Sequence, residues 1–239
     1  MINREPSAVP WRSPGRREPE RQAIALQYFI SMTLNQKITP GVFRELYSLL
    51  DDPITKRDCG SLCAPANGGV PFCCDVHNAV PLMYKEEYKF LKSRTDIWSP
   101  WKPRRKGDEA LLEDLASDQI FCECKGVQHC ERENRSISCR TFPLEPYIDK
   151  RGELVGLVFN SVFLGRCPLT EKKHLVRQAV VDKHFEFWDR WTDLKDDEFQ
   201  LYYDLSKTLR RRRGQTKKEF VILWPSHLKR QKGEFAKYV

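Results

Sequence analysis

Two hundred and thirty-nine residues suffice for one substantial domain or two small ones, each with an apolar core of its own. A 40% hydrophobic share with six Trp, eight Tyr and thirteen Phe, beside 31% charged residues, excludes wholesale disorder and fibrous classes. The net charge of +8 is uneven, because residues 205–239 hold eleven Lys or Arg against two Asp or Glu and leave the rest of the chain near neutrality.

Residues 1–20 alternate charge and proline without an apolar stretch, which reads as a flexible arm and not as a secretory signal. The run Ala23 to Ile30 is broken by Gln27 and falls far short of the ~20 residues a bilayer requires, so no membrane span is expected and the default compartment is cytoplasmic. Residues 21–35 and 40–50 read as helices, the second with Thr39 as N-cap and Pro40 in its first turn. Residues 51–75 read as loop, 83–93 as a short helix, and Leu111, Leu112 and Leu115 mark another. A β-hairpin is predicted across 144–163 around an Asp-Lys-Arg-Gly turn. Thr170 is the expected cap of a helix carrying Leu175, Val180, Phe187, Trp188 and Trp191; a further helix runs from about Asp196 to Gly214, and Phe220 to Trp224 is a candidate strand. The fold class expected is α+β, mainly helical. Its parts would be an arm (1–20), N-terminal helices (21–54), a loop-rich cysteine-cluster metal-binding domain with a β-hairpin (55–170), C-terminal helices (171–214) and a basic tail (215–239).

Nine cysteines, all between positions 59 and 167, carry the chemistry. In a chain without export features, clustered thiols are metal ligands or catalysts more often than disulfides, and an odd count prevents complete pairing. The first group, Cys59, Cys63, Cys73 and Cys74, is spaced C-x3-C-x9-C-C; the second, Cys122, Cys124, Cys130 and Cys139, is spaced C-x-C-x5-C-x8-C; Cys167 stands alone. Thiolates are soft ligands that suit zinc and iron–sulfur clusters alike, and neither the zinc-ribbon nor the bacterial ferredoxin spacing is present. The surplus of sulfurs over the four that tetrahedral zinc needs favours an iron–sulfur cluster over zinc. Adjacent residues in extended backbone point to opposite faces, so Cys73 and Cys74 are candidates for different roles.

The stretches CCDVHNAVPLMYKEEYKFL and CERENRSISCRTFPLEPYID, a hairpin, and GRCPLT together resemble the YkgJ-like cysteine-cluster family, the CxxCxxCC zinc- or iron-chelating domain, over roughly residues 55–170. The positions that carry the resemblance are Cys73 and Cys74, Pro81 with Glu86 and Glu87, Cys130, Arg135, Cys139, and Phe142 with Pro143. The opening spacing is longer than the family's C-x2-C-x2-C-C, and Ser136 stands where the family usually has proline. The resemblance implies metal chelation and, through relatives that look like flagellin lysine methylases, a catalytic role.

His77 and His129 lie near cysteines and are candidate nitrogen ligands or neighbours of the site, while His174 and His184 read as ordinary helix residues. Arg135 and Arg140 flank Cys139, where a guanidinium lowers a thiol pKa or donates to a cluster sulfur. The basic run Arg210 to Arg213 and the lysines after it offer a second function, contact with nucleic acid or an acidic protein; no helix-turn-helix, RRM or OB signature accompanies it. No P-loop, dinucleotide-binding or G-x-S-x-G motif is present. The function expected is therefore a metal-binding protein, either a cofactor-bearing enzyme or a subunit of a larger protein complex. The alternative is a structural zinc module or adaptor acting through its basic tail.

Overall fold

A computed structural model describes residues 38–113, 115–217 and 219–237, so the arm at 1–20 and the helix expected at 21–35 lie outside the described residues. The chain begins there with α1 (Pro40–Leu49), where Thr39 Oγ1 accepts from Val42 N at 3.5 Å and Phe43, Leu46 and Tyr47 turn inward. A single helical turn, α2 (Gly60–Cys63), follows in the region expected to be loop.

Next come β1 (Leu82–Tyr84), α3 (Lys85–Lys92), β2 (Trp98–Pro100), the short α4 (Ala110–Glu113) and β3 (Gln119–Cys124). The helix expected at 83–93 thus starts two residues late. Met83 and Tyr84 are strand, paired with Ile120 and Gln119 of the central strand β3. On the other edge of β3, Trp98 pairs with Cys124 and Pro100 with Cys122, so the sheet order is β1-β3-β2, antiparallel throughout. The sequence reading missed this sheet because its edge strands are three residues long, too short to show an alternating pattern, and Pro100 occupies the edge position where a missing N–H is tolerated.

The chain continues through α5 (Ile137–Thr141) into the expected hairpin, β4 (Leu144–Ile148) and β5 (Leu154–Phe159). Asp149 shapes its turn by accepting from Arg151 N at 2.8 Å and Glu153 N at 3.0 Å. The tail crosses β5 at Gly156, where an added Cβ would stand 2.6 Å from Ile222 and 2.9 Å from the Leu223 carbonyl; only glycine admits the approach. Of the strand expected at Phe220–Trp224 a single bridge remains, Leu157 with Leu223, before Pro225 removes the next possible donor.

The helix expected from Thr170 begins at Gln178 instead, as α6 (Gln178–Leu194). Thr170 spends its hydroxyl on the Cys167 carbonyl, and Arg177 is held extended by hydrogen bonds to the carbonyls of Ile54 and Pro53. Tertiary hydrogen bonds here outweigh a local capping signal. The next helix, α7 (Asp196–Thr216), passes through Gly214 and ends on Lys217 in the left-handed conformation. The last, α8 (Lys232–Phe235), is one turn.

Among the described residues, about 49% helix and 12% strand in two small antiparallel sheets make the fold α+β. One continuous apolar core joins α1, α3, the β1-β3-β2 sheet, the hairpin and α6. Its largest buried side chain, Trp191, stacks on Phe187 and meets Tyr84 edge-on. A smaller cluster of Tyr147, Val155 and Val158 receives Leu209, Phe220 and Ile222 from the C-terminal segments. No helix among the described residues is long and apolar enough to cross a membrane.

Candidate metal centre

Three stretches of chain bring the thiols together. In the first, Asp58 accepts from Gly60 N, Cys59 begins the α2 turn, and Pro71 packs so closely that a Cβ on Gly60 would stand 2.8 Å from its ring. The intervening turn is tied down by Asn67, which donates to the Val70 carbonyl at 3.0 Å and to Asp75 at 3.2 Å; Asn78 donates to the same carboxylate at 2.9 Å. The nine residues between Cys63 and Cys73 are therefore a folded turn that returns Cys73 and Cys74 to the neighbourhood of Cys59.

In the second stretch, β3 sets Cys122 and Cys124 two residues apart and so on one face. Ser136 caps α5 by accepting from Cys139 N at 3.3 Å. Glu87, 1% exposed on α3, accepts from Ile137 N at 2.6 Å and from the Tyr47 hydroxyl at 2.7 Å, which fixes the start of the turn that bears Cys139. Arg135 donates to the Cys130 sulfur at 3.0 Å, while Arg140 donates to the Arg135 carbonyl and to Asp51 and lies 4.2 Å above the Tyr47 ring. In the third, buried Cys167 follows the hairpin, and its amide donates to the Phe163 carbonyl at 2.9 Å.

Two cavities collect these thiols. The larger, about 510 Å³, is lined by Cys59, Cys73, Cys74, Cys124, Cys130 and Cys139 together with Arg135. The smaller, about 370 Å³, is lined by Cys59, Cys63, Cys73, Cys139 and Cys167 together with Arg132, Arg135 and Arg140. Cys122 borders neither; it is wholly buried in the apolar core. Among the described residues, no group of three or more His, Cys, Asp or Glu side chains is already set to hold a metal ion, and Cys73 and Cys74 stand 4.0 Å apart, sulfur to sulfur. The thiols line open space.

The electrostatics of the thiols are uneven. Burial pushes Cys139 and Cys122 up to about 12 and Cys59 to about 11. Cys74 departs in the other direction, lowered by its contact with the neighbouring Cys73 thiol and by the nearby Arg135 guanidinium, against the opposing effect of burial. The Thr170 amide goes to the Cys167 carbonyl at 3.0 Å, and the donor that reaches a sulfur is the Arg135 guanidinium at Cys130. Such donors favour the thiolate, which is the ligating form.

The histidines stand apart. His77 and His129 are exposed, and His77 borders a different cavity of about 270 Å³ with Arg104, Arg105 and Asp108. His174 is exposed as well. His184 is buried with no hydrogen-bond partner at either ring nitrogen, and burial lowers it to about 4.

The larger cavity extends beyond the thiols to Phe142, Phe163, Tyr202, Glu145 and Asn160. The Asn160 amide donates to Glu145, whose carboxyl burial raises to about 7. Sequence reasoning missed this polar end, since Glu145 and Asn160 belong to a hairpin whose pattern speaks only of pairing. In the basic tail, Arg210 turns inward to the Ile148 carbonyl and the Tyr147 ring, and Arg213 pairs with Glu219.

Compared with protein-family models, with curated proteins and with solved structures, the chain matches none.

Proposed function

We propose that this chain is a metal-binding protein whose clustered cysteines hold an iron–sulfur cluster, or zinc, and that it serves as a cofactor-bearing enzyme or a subunit of a larger complex. The observation that carries this reading is the lining of the larger cavity: six thiols from two distant stretches of chain, with a guanidinium donating to one of the sulfurs. The donor set suits the group, being soft, gathered around one cavity and provided with a guanidinium N–H donor to the Cys130 sulfur. Cys74, Cys124, Cys130 and Cys139 are the residues we assign to it. Arg135 offsets the negative charge that four thiolates bring.

An iron–sulfur cluster bound there would supply electron transfer, and zinc a closed structural tie or an activated thiolate. The enzyme form of the proposal draws on the thiol-free end of the cavity, where aromatic walls and the Glu145–Asn160 pair leave room for a substrate beside the sulfurs. A carboxyl held near neutrality by burial is suited to moving a proton at Glu145 Oε1 or Oε2. The family kinship suggested by the Cys-Cys pair, Arg135 and Phe142-Pro143 is part of the same proposal.

The test is anaerobic purification followed by an absorption spectrum and analysis of iron, acid-labile sulfide and zinc on one sample. Broad absorbance near 400 nm with iron and sulfide supports the cluster, colourless protein with stoichiometric zinc supports the zinc form, and a folded chain with neither overturns the proposal.

A further inference from the structure

We propose that the cavity between the 76–80 segment and the 101–108 loop binds a nucleotide, with its phosphate at Arg104, Arg105 and His77 and its planar base against Trp101 and Phe121. The inference stands apart from the metal-binding reading, since no cysteine borders this cavity. Its volume, about 270 Å³, suits a ligand of one base, one sugar and one phosphate.

The loop after β2 carries Lys102, Arg104, Arg105 and Lys106 within five residues, all of them exposed. Like charges at that density repel, and a loop bearing them lowers its energy by spreading into solvent. This loop is pinned at both ends instead. The Trp101 amide donates to the Phe121 carbonyl at 2.9 Å, and a single oxygen of Asp108 accepts from Arg104 N and from Arg105 N, each at 2.9 Å. Gly107, at φ 96°, supplies the left-handed residue that the turn between them needs. Cations fixed in place against their own repulsion are arranged for an anion.

The nearby carboxylates are already engaged. Asp108, which borders the cavity, is held below its usual pKa by the two amides it accepts from. Asp75, whose charge reaches Arg105, accepts from His77 N at 2.9 Å and from the Asn67 and Asn78 side chains. Glu123 pairs with Arg104 at 2.6 Å. The Arg105 guanidinium and the His77 ring, both lining the cavity, have no hydrogen-bond or ion-pair partner among the described residues. A guanidinium is a planar donor fork that matches phosphate oxygens, and an imidazole adds a further N–H.

The other wall is aromatic. Trp101, 7% exposed, and Phe121 meet edge to face with ring centroids 6.0 Å apart, and both line the cavity. An inorganic anion leaves these rings uncovered, whereas a planar base on the same ligand covers them by stacking. Base, sugar and phosphate occur together in a free nucleotide and in a single strand, and both share this chemistry.

The test is calorimetric titration of the intact chain with AMP, adenosine, inorganic phosphate and a short single-stranded oligoadenylate. AMP is expected to bind saturably and more tightly than adenosine or phosphate. Arg105→Ala, at an exposed position that leaves the fold intact, should weaken AMP about tenfold or more, while Lys229→Ala with Arg230→Ala, outside the cavity, should leave it unchanged. Equal affinity for AMP and for the strand supports the free nucleotide as ligand, and a much tighter strand supports nucleic acid. Absence of saturable binding by either overturns the proposal, as does phosphate binding as tightly as AMP or AMP binding that survives Arg105→Ala.

Discussion

The hairpin with α6 and α7 and the thiol-bearing turns are held by different forces. In the first region, Val155, Leu157, Phe187 and Trp191 are buried nearly completely, and the apolar effect at roughly 25 cal/mol per Å² dominates. In the second, residues 58–80 and 130–143 rest on directed bonds from Asp75, Glu87, Arg135 and Arg140, and eight half-buried or buried thiols face cavities. The first region rests mainly on apolar packing, the second on directed bonds around open cavities.

Under the metal-binding proposal, removing the metal should separate them most. In hydrogen exchange, a chelated chain is expected to lose protection across 58–80, 124–143 and 163–170 while β4 and β5 stay protected; uniform protection in both states would erase the contrast. Trp191→Ala attacks the other side. It should cost about 3–5 kcal/mol in chemical denaturation and leave metal content per folded chain unchanged.

The pH response should also divide. Glu87 is raised to about 7 by burial, so the folded state holds its proton more tightly than the unfolded chain; its contribution is complete below about 4.5 and is lost as pH rises through 7, about 2 kcal/mol between pH 5 and 7. Glu145 and Glu198, also near 7, share that limb, and Glu87→Gln should remove about a third of it. His184 on α6 has the opposite sign, since its folded value of about 4 lies below the unfolded 6.5, and stability falls by about 2 kcal/mol as pH drops from 7 to 5. His184→Phe should abolish that acid limb and, by removing two unpartnered buried nitrogens, raise stability at neutral pH. Equilibrium unfolding at pH 5, 6, 7 and 8 reads both limbs. The smallest effect belongs to Thr39→Ala, about 0.5 kcal/mol, given the long 3.5 Å cap bond.

Elements with strong periodicity were legible: α1, α7 and the hairpin stand close to where apolar spacing and turn residues put them. The β1-β3-β2 sheet was not, because three-residue edges carry no pattern, and the start of α6 was not, because Ile54 and Pro53 claim Arg177 from outside the local sequence. Of the candidate site, the cysteines and Arg135 were visible as residue types at suggestive spacing. The two cavities, the exclusion of Cys122 from both, and the pairing of Glu145 with Asn160 were not, since each depends on which side of a wall a side chain faces.

What the sequence determined by itself was local: the caps, turns and apolar stripes, and a stock of nine soft donors confined to the middle of the chain. The tertiary structure decided how that stock is divided. Cys73 and Cys74, adjacent in sequence, share the larger cavity, but only Cys73 also reaches the smaller, which it borders with Cys59 and Cys167, more than a hundred residues apart. Spacing along a chain measures covalent distance, and ligation depends on distance through space, which only tertiary packing fixes.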